Sequence, residues 1–233
     1  SLPFSFLGLS SELENSKVAI LPVGYDSTTS YLSGTREAPL AIIRASRFME
    51  YFDPELEEDF TKLGIATLPP FLPCMGNPQD MVEKLQRAAE FLLEKNKFLV
   101  MLGGEHSLTV GMVKAYHKYF TKMGVLQIDA HLDLRDIYEG TQFSHACAMR
   151  RIFDLCPIVQ LGIRSVCEEE YEFVKKNNLN IYYSWKLREN PNWKDEIVAK
   201  LPENVYITID MDGLDTSIMP YVGTREKDGL LWQ

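Results

Sequence analysis

Gly124-Val125-Leu126-Gln127-Ile128-Asp129-Ala130-His131-Leu132-Asp133 joins a short apolar run to a carboxylate, an imidazole and a second carboxylate at alternate positions. The apolar half reads as a strand covered on both faces, the kind found inside a parallel sheet. If the extended backbone continues past it, Asp129, His131 and Asp133 fall on one side of the strand end, as a metal-binding set would.

Working outward, strand-like runs at 18–23, 63–65, 97–102, 124–128, 158–161, 180–183 and 205–209 alternate with helix-period segments. That order predicts an α/β fold with a mostly parallel central sheet between helical layers. Asn77-Pro78 reads as a cap with proline at the first helical position, and Met81, Leu85, Ala88, Ala89, Leu92 and Leu93 then recur at helical spacing. Further helices are expected to start near Pro39, Ser107, Ser144, Glu168 and Asn192. The proline-rich stretch 68–73 is read as a loop, because the alternation resumes unchanged after it, and 1–233 is read as one domain.

The composition, 45% hydrophobic and 24% charged over 233 residues, excludes long disorder, collagen and coiled coil. Lys and Arg total 24 against 33 Asp and Glu, a formal charge of −9, and no basic run offers a footprint for nucleic acid. A cationic small molecule suits this field better. No apolar stretch nears the about 20 residues of a membrane span, and no signal-peptide pattern opens the chain, so a cytoplasmic location is expected. Cys74, Cys147, Cys156 and Cys167 form no CxxC, which favours reduced core thiols over a zinc ribbon or a disulfide framework.

Two more segments follow predicted strands: Leu102-Gly103-Gly104-Glu105-His106-Ser107 and Asp210-Met211-Asp212. In parallel sheets functional groups gather at the carboxyl ends of strands. The paired glycines allow a sharp turn or close backbone approach, but no Gly-Lys-Ser/Thr follows, so this is no phosphate loop. Taken singly, an Asp-x-Asp is mostly a solvated turn and a lone histidine mostly a structural one; the conjunction of three strand ends carries the metal reading. Asp129, Asp133, Asp210 and Asp212 would repel unless neutralised, and two divalent cations balance them. A carboxylate-rich site without thiolates favours Mn²⁺, with zinc and other first-row ions open. His145 can be read from its own neighbourhood as functional or as a core histidine, His117 as helix surface, and Cys147 as packing.

Together, GGEHS at 103–107, DAHLD at 129–133, SHACAMRR at 144–151 and DMDGLD at 210–215 resemble the ureohydrolase family of arginases and agmatinases. The segment 24–30 with Gly34-Thr35-Arg36, and Leu161-Gly162-Ile163-Arg164, are similar to its other recurring segments, so the resemblance runs from about Val18 to the end. It implies a three-layer α/β/α domain, arginase-like, hydrolysing a guanidinium group to urea and an amine with two Mn²⁺ per chain. By motif, one ion falls on His106, Asp129, Asp133 and Asp210, the other on His131, Asp129, Asp210 and Asp212, and the proton-transfer histidine falls on His145. Two cations lower the pKa of a water between them, Asp133 would orient the resulting hydroxide, and His145 would carry a proton to the leaving amine. Glu105 stands where the family usually has Asp and is expected to orient a ligand from behind.

The loop 134–140 and Ser144-His145-Ala146 are more similar to agmatinases than to arginases, which favours agmatine hydrolysis to putrescine, a step of polyamine biosynthesis. Arginine, guanidinobutyrate and formimidoylglutamate are the alternative substrates, and no substrate-binding residue is assigned. A metal-binding homologue of impaired catalysis, with a structural or regulatory role, is the alternative of another class; a single-zinc deacetylase is a third. The resemblance further implies a homo-oligomer, trimer or hexamer. Asp215-Thr216 and Glu226-Lys227-Asp228-Gly229 depart from the family's Asp-Pro and Pro-Gly-Gly. Family members also continue past the segment matching Leu230-Leu231-Trp232, with a last strand inside the sheet and a closing helix. The chain is therefore expected to be C-terminally truncated, with a gap between the strands at 97–102 and 205–209.

Overall fold

The computed structural model describes residues 4–232. Along the chain lie β1 (Val18–Val23), α1 (Ala38–Ser46), the two-residue strands β2 (Phe52–Asp53) and β3 (Glu58–Asp59), β4 (Ile65–Thr67), α2 (Pro78–Leu93), β5 (Phe98–Gly103), α3 (Leu108–Tyr119), β6 (Met123–Ile128), α4 (Ala148–Phe153), β7 (Ile158–Ile163), α5 (Glu168–Asn177), β8 (Asn180–Tyr183), α6 (Ser184–Leu187), α7 (Trp193–Lys200) and β9 (Asn204–Ile209).

An apolar run without alternation is satisfied only by cover on both faces, and the strands show this. In β1, Ala19, Leu21 and Val23 pack with Met81 and Leu85 of α2 and Met112 of α3, while Ile20 packs oppositely against Leu7 and Ile65. In β7, Ile158 and Ile163 join Val113 of α3 and Ile152 of α4, while Val159 and Leu161 face Leu187 of α6 and Ile197 of α7. Each such leucine or isoleucine contributes about 1.5–3 kcal/mol by its burial. The result is the expected α/β/α layering. Helix α2 begins as its sequence predicts, with Asn77 Oδ1 accepting from Gln79 N–H at 3.0 Å and proline in the first turn.

The strands form not one sheet but two larger ones, in the orders β4-β1-β5 and β8-β7-β6-β9, with every pairing in them parallel. No ladder joins β5 to β9 among the described residues, so the break falls where the sequence reading put a gap. Ile207 and Ile209 of β9 are 57% and 55% exposed beside it. Helix α3 spans the two halves: Tyr116 packs in both cores and meets Tyr206 of β9 edge-on at 5.4 Å.

Three local expectations shift. The strand placed at 63–65 lies at Ile65–Thr67, because Asp59 caps a 3₁₀ turn over Phe60–Leu63 and Gly64 follows at φ 69°. The helix expected near Ser144 opens with a 3₁₀ turn, His145–Cys147, before α4. The antiparallel ladder β2-β3 is too short to leave a periodic signal. No described helix is long and apolar enough to cross a membrane.

Candidate metal centre

The site grows from the carboxyl ends of β5, β6 and β9. Past β5 the chain presses against the segment after β1: Gly104 N–H donates to Val23 O at 3.1 Å and Glu105 N–H to Tyr25 O at 2.8 Å. A Cβ on Gly104 would stand 1.9 Å from Tyr25 O, so only glycine permits the contact. This approach aims Glu105 at Thr28, whose N–H and hydroxyl donate to its carboxylate at 2.7 and 2.6 Å; the Ser107 hydroxyl donates at 2.5 Å. Glu105 therefore supports Thr28 rather than a metal-ligand candidate.

His106 Nδ1 lies 2.9 Å from Asp129 Oδ2, 2.9 Å from Asp133 Oδ2 and 3.8 Å from Asp210 Oδ2. It is buried, yet makes no aligned hydrogen bond to any of them. A ring nitrogen facing several carboxylate oxygens at close range without alignment is how donors sit around a common cation. From behind, Thr208 Oγ1 meets His106 Nε2 at 2.9 Å and fixes the ring. His131 Nδ1 is 3.1 Å from Asp212 Oδ2 and 3.6 Å from Asp129 Oδ1, with Nε2 3.9 Å from Glu226 Oε1. Two sets of mutually close donors result, His106/Asp129/Asp210 and Asp129/His131/Asp212, sharing Asp129. Asp133 stands outside both sets but against His106.

The period-2 argument gathers these residues for the wrong local reason. Strand β6 ends at Ile128, and Asp133 takes a left-handed backbone, φ 53°, unusual for a residue with a Cβ. Asp210 itself is extended, but the chain leaves the strand line directly after it: its Oδ1 accepts from Asp212 N–H at 3.1 Å and caps a 3₁₀ turn, Met211–Gly213. Gly213 lets that turn touch β6, since a Cβ there would lie 2.8 Å from Asp129 N.

Charge crowding moves these groups away from their ordinary ranges. Burial would raise the Asp129 carboxyl, but the close approach and charge of His106 and His131 hold it well below its ordinary range. Burial and then Asp129 raise Asp133. The rim of Asp210 touches solvent, yet the surrounding protein withdraws much of its hydration; this and the charges of Asp212 and Asp129 push it up to about 8. Burial opposes the charging of His131, but Asp129 and Asp212 outweigh it and push the imidazole up to about 11. His106 rises likewise against its burial, through Asp129 and Asp133.

His145 stands apart from the two sets. Its N–H donates to Thr28 Oγ1 at 3.0 Å, its Nδ1 is 3.4 Å from the same hydroxyl and 3.3 Å from Ser144 Oγ, and Tyr138 meets its ring edge-on at 5.9 Å. Cys147 is buried and its thiol pushed up to about 11, chiefly by burial, which fits packing rather than nucleophilic chemistry. All four cysteines are free.

Sequence reasoning missed the supporting residues Thr28, Thr208, Gln127, Gln160, Thr224 and Glu226. Gln127 donates to Asp129 Oδ2 at 2.7 Å; Gln160 donates to Gln127 and, at 2.7 Å, to Leu132 O. A glutamine in the middle of each of two apolar strands was the available signal. Thr224 donates to Asp212 Oδ2 at 2.9 Å from a segment with no periodicity to read.

The sequence profile of the arginase family matches residues 16–233. An N(1)-aminopropylagmatine ureohydrolase of Synechocystis is 38% identical over 224 residues, 92% of this chain and 73% of that protein. An agmatinase of Halalkalibacterium halodurans is 32% identical, over 97% of this chain and 78% of that protein. The crystal structure of the agmatine ureohydrolase of Thermoplasma volcanium superposes with a TM-score of 0.90 at 31% identity, over 98% of this chain and 78% of that one.

Proposed function

Because the chain belongs to the arginase family, we propose that it is an agmatinase-like ureohydrolase that splits a guanidinium group into urea and an amine at a two-Mn²⁺ site. The observation that carries this reading is the sharing of Asp129 by two histidine–carboxylate sets. In it, His106, Asp129, Asp133 and Asp210 hold one ion and His131, Asp129, Asp210 and Asp212 the other. Bound divalent ions lower the pKa of water and so supply a nucleophile near neutral pH.

The chain's own groups do the rest. Asp133, buried and turned in by its left-handed backbone, accepts a hydrogen bond from the attacking water and orients it. The Thr28 hydroxyl gives its single proton to Glu105 and so offers only lone pairs to His145. With the Ser144 hydroxyl, 3.3 Å from the same nitrogen, also accepting, the proton sits on Nδ1, and Nε2 is left to carry a proton to the departing amine.

The net charge of −9 draws in a cationic guanidine, and agmatine, which lacks a carboxylate needing a partner, fits it best. Its amine product would be putrescine, made in the cytoplasm by a homo-oligomer. N(1)-aminopropylagmatine is the second reading, favoured by the 38% identity to the Synechocystis enzyme. Urea release from agmatine, N(1)-aminopropylagmatine and arginine, measured side by side with Mn²⁺, tests it. Urea from either carboxylate-free guanidine and not from arginine is expected. Urea from arginine alone would overturn the substrate reading, and urea from none would favour a metal-binding homologue without catalysis.

A further inference from the structure

Arg164, at the end of β7, has no part in the chemistry above. Its guanidinium nevertheless reaches six carbonyl oxygens. Nε donates to Lys227 O at 2.8 Å, and Nη1 to Gly162 O and Gly213 O at 3.1 and 3.3 Å. Nη2 donates to Asp212 O at 2.5 Å, Glu226 O at 2.9 Å and Leu214 O at 3.4 Å. Asp212, Gly213 and Leu214 are consecutive, and their carbonyls find no partner within the 3₁₀ turn as it ends; Gly213 O also accepts from Leu230 N–H at 3.0 Å. Glu226 and Lys227 belong to the irregular segment lying over that turn. One side chain thus ties a strand end, the turn bearing Asp212 and the segment bearing Glu226.

We propose that Arg164 is a positioning residue whose guanidinium locks the Asp212 turn to the segment 224–228 and so fixes the His131–Asp212 half of the metal site. The inference rests on the two-metal reading. Each side of the lock delivers a group. Asp212 Oδ2 is brought to 3.1 Å from His131 Nδ1, and Glu226 Oε1 to 3.9 Å from its Nε2, so a carboxylate stands at each ring nitrogen. Thr224, on the same segment, donates to Asp212 Oδ2 at 2.9 Å. A planar fork of five donors can serve several divergent carbonyls at once, and a lysine ammonium with three donors on a flexible stem cannot. Because the positive charge is spent on carbonyl dipoles, it is not aimed at the ions. The other half of the site has separate support: Gln127 and Thr208 hold Asp129 and His106 from inside the sheet.

The test compares the unaltered chain with Arg164→Lys and Arg164→Ala; Arg164→Lys keeps the charge and carries the test if Arg164→Ala does not fold. Manganese bound per chain is counted at equilibrium, and electron paramagnetic resonance separates coupled pairs from single ions. Expected are two ions in the unaltered chain, and in both variants one ion of unchanged affinity with the second weakened about 10- to 100-fold. Millimolar guanidinium should restore the second ion to Arg164→Ala and not to Arg164→Lys. Two ions of unchanged affinity in the variants, or a parallel loss of both, would overturn the proposal. Hydrogen exchange of the metal-free proteins gives a readout free of any ion. Amides at 212–215 and 224–230 should exchange about tenfold faster in the variants, with those of β6 and α3 unchanged; equal exchange overturns the clamp. An unaltered chain that binds no second ion would sink the two-metal reading, and the exchange result then decides the clamp by itself.

Discussion

At the end of β6, the side chains of Asp129 and Asp133 are 1% and 8% exposed; at the end of β9, that of Asp210 is 35% exposed, and that of Asp212, 4% exposed, is covered with the help of Thr224. The strands differ in the same sense. Strand β6 pairs on both edges, with β7 and β9; among the described residues β9 pairs with β6 alone, its other edge lying at the break before β5. Gln127 and His106 brace the β6 half from within the core, whereas Thr224 and Arg164 brace the β9 half through loops. Half of the site is thus inherited from the fold and half is assembled on it. Damage to the first should cost metal binding outright, and damage to the second should thin it.

The harshest way to break this comparison is at the shared carboxylate. Asp129→Ala should abolish binding of both ions and lower urea release by about 10³-fold or more, while Asp212→Ala should leave one ion bound. Metal analysis of the two purified variants checks this, and tight binding of one ion by Asp129→Ala would refute the sharing. A gentler intervention leaves both halves alone: Thr28→Val should keep both ions and lower kcat about 10- to 100-fold by releasing His145, with Thr28→Ser restoring it. Steady-state kinetics beside metal analysis would show the split.

A titration sharpens the contrast further. Asp210, pushed up to about 8, is protonated at pH 7 in the metal-free chain, so an incoming ion must displace that proton. At pH 9 the proton is already gone. Manganese binding should therefore release about one proton fewer at pH 9 than at pH 7, and tighten as pH rises between them. Calorimetry in buffers of different ionisation enthalpy reads the number directly.

The smallest effect belongs to the loop half alone. Bonds from Ser217 and the Gly229 N–H hold the Asp215 carboxyl down at about 2, below its ordinary value near 4. A lowered carboxyl stabilises above its unfolded value, and that contribution fades as pH falls through its folded one. Exchange protection of Gly229 should thus weaken between about pH 4 and pH 2, with β6 unaffected.

The ligand candidates of both halves were legible in the sequence, and the groups that brace them were not. Apolar runs without alternation announced buried parallel strands, and Asn77-Pro78 announced the start of α2. Asp129, His131, His106, Asp210 and Asp212 declared themselves because three strand ends carried metal-binding side chains at once. Their local geometry did not, since the left-handed turn at Asp133 and the 3₁₀ turn after Asp210 depend on contacts distant in sequence. Thr28 reaches Glu105 across 77 positions and Thr208 reaches His106 across 102, and such hydroxyl contacts leave no pattern in the chain. Arg164 lay inside a recognisable segment, but its partners are carbonyls, which every residue has.

The central claim is that the two halves make one two-metal hydrolytic site. Stepwise addition of Mn²⁺ to the metal-free chain, with bound metal and urea release from agmatine and N(1)-aminopropylagmatine followed together, tests it most directly. Two ions per chain, with urea appearing as the second binds, is the predicted result. Saturation at one ion, or two bound ions with no urea from either guanidine, would contradict it.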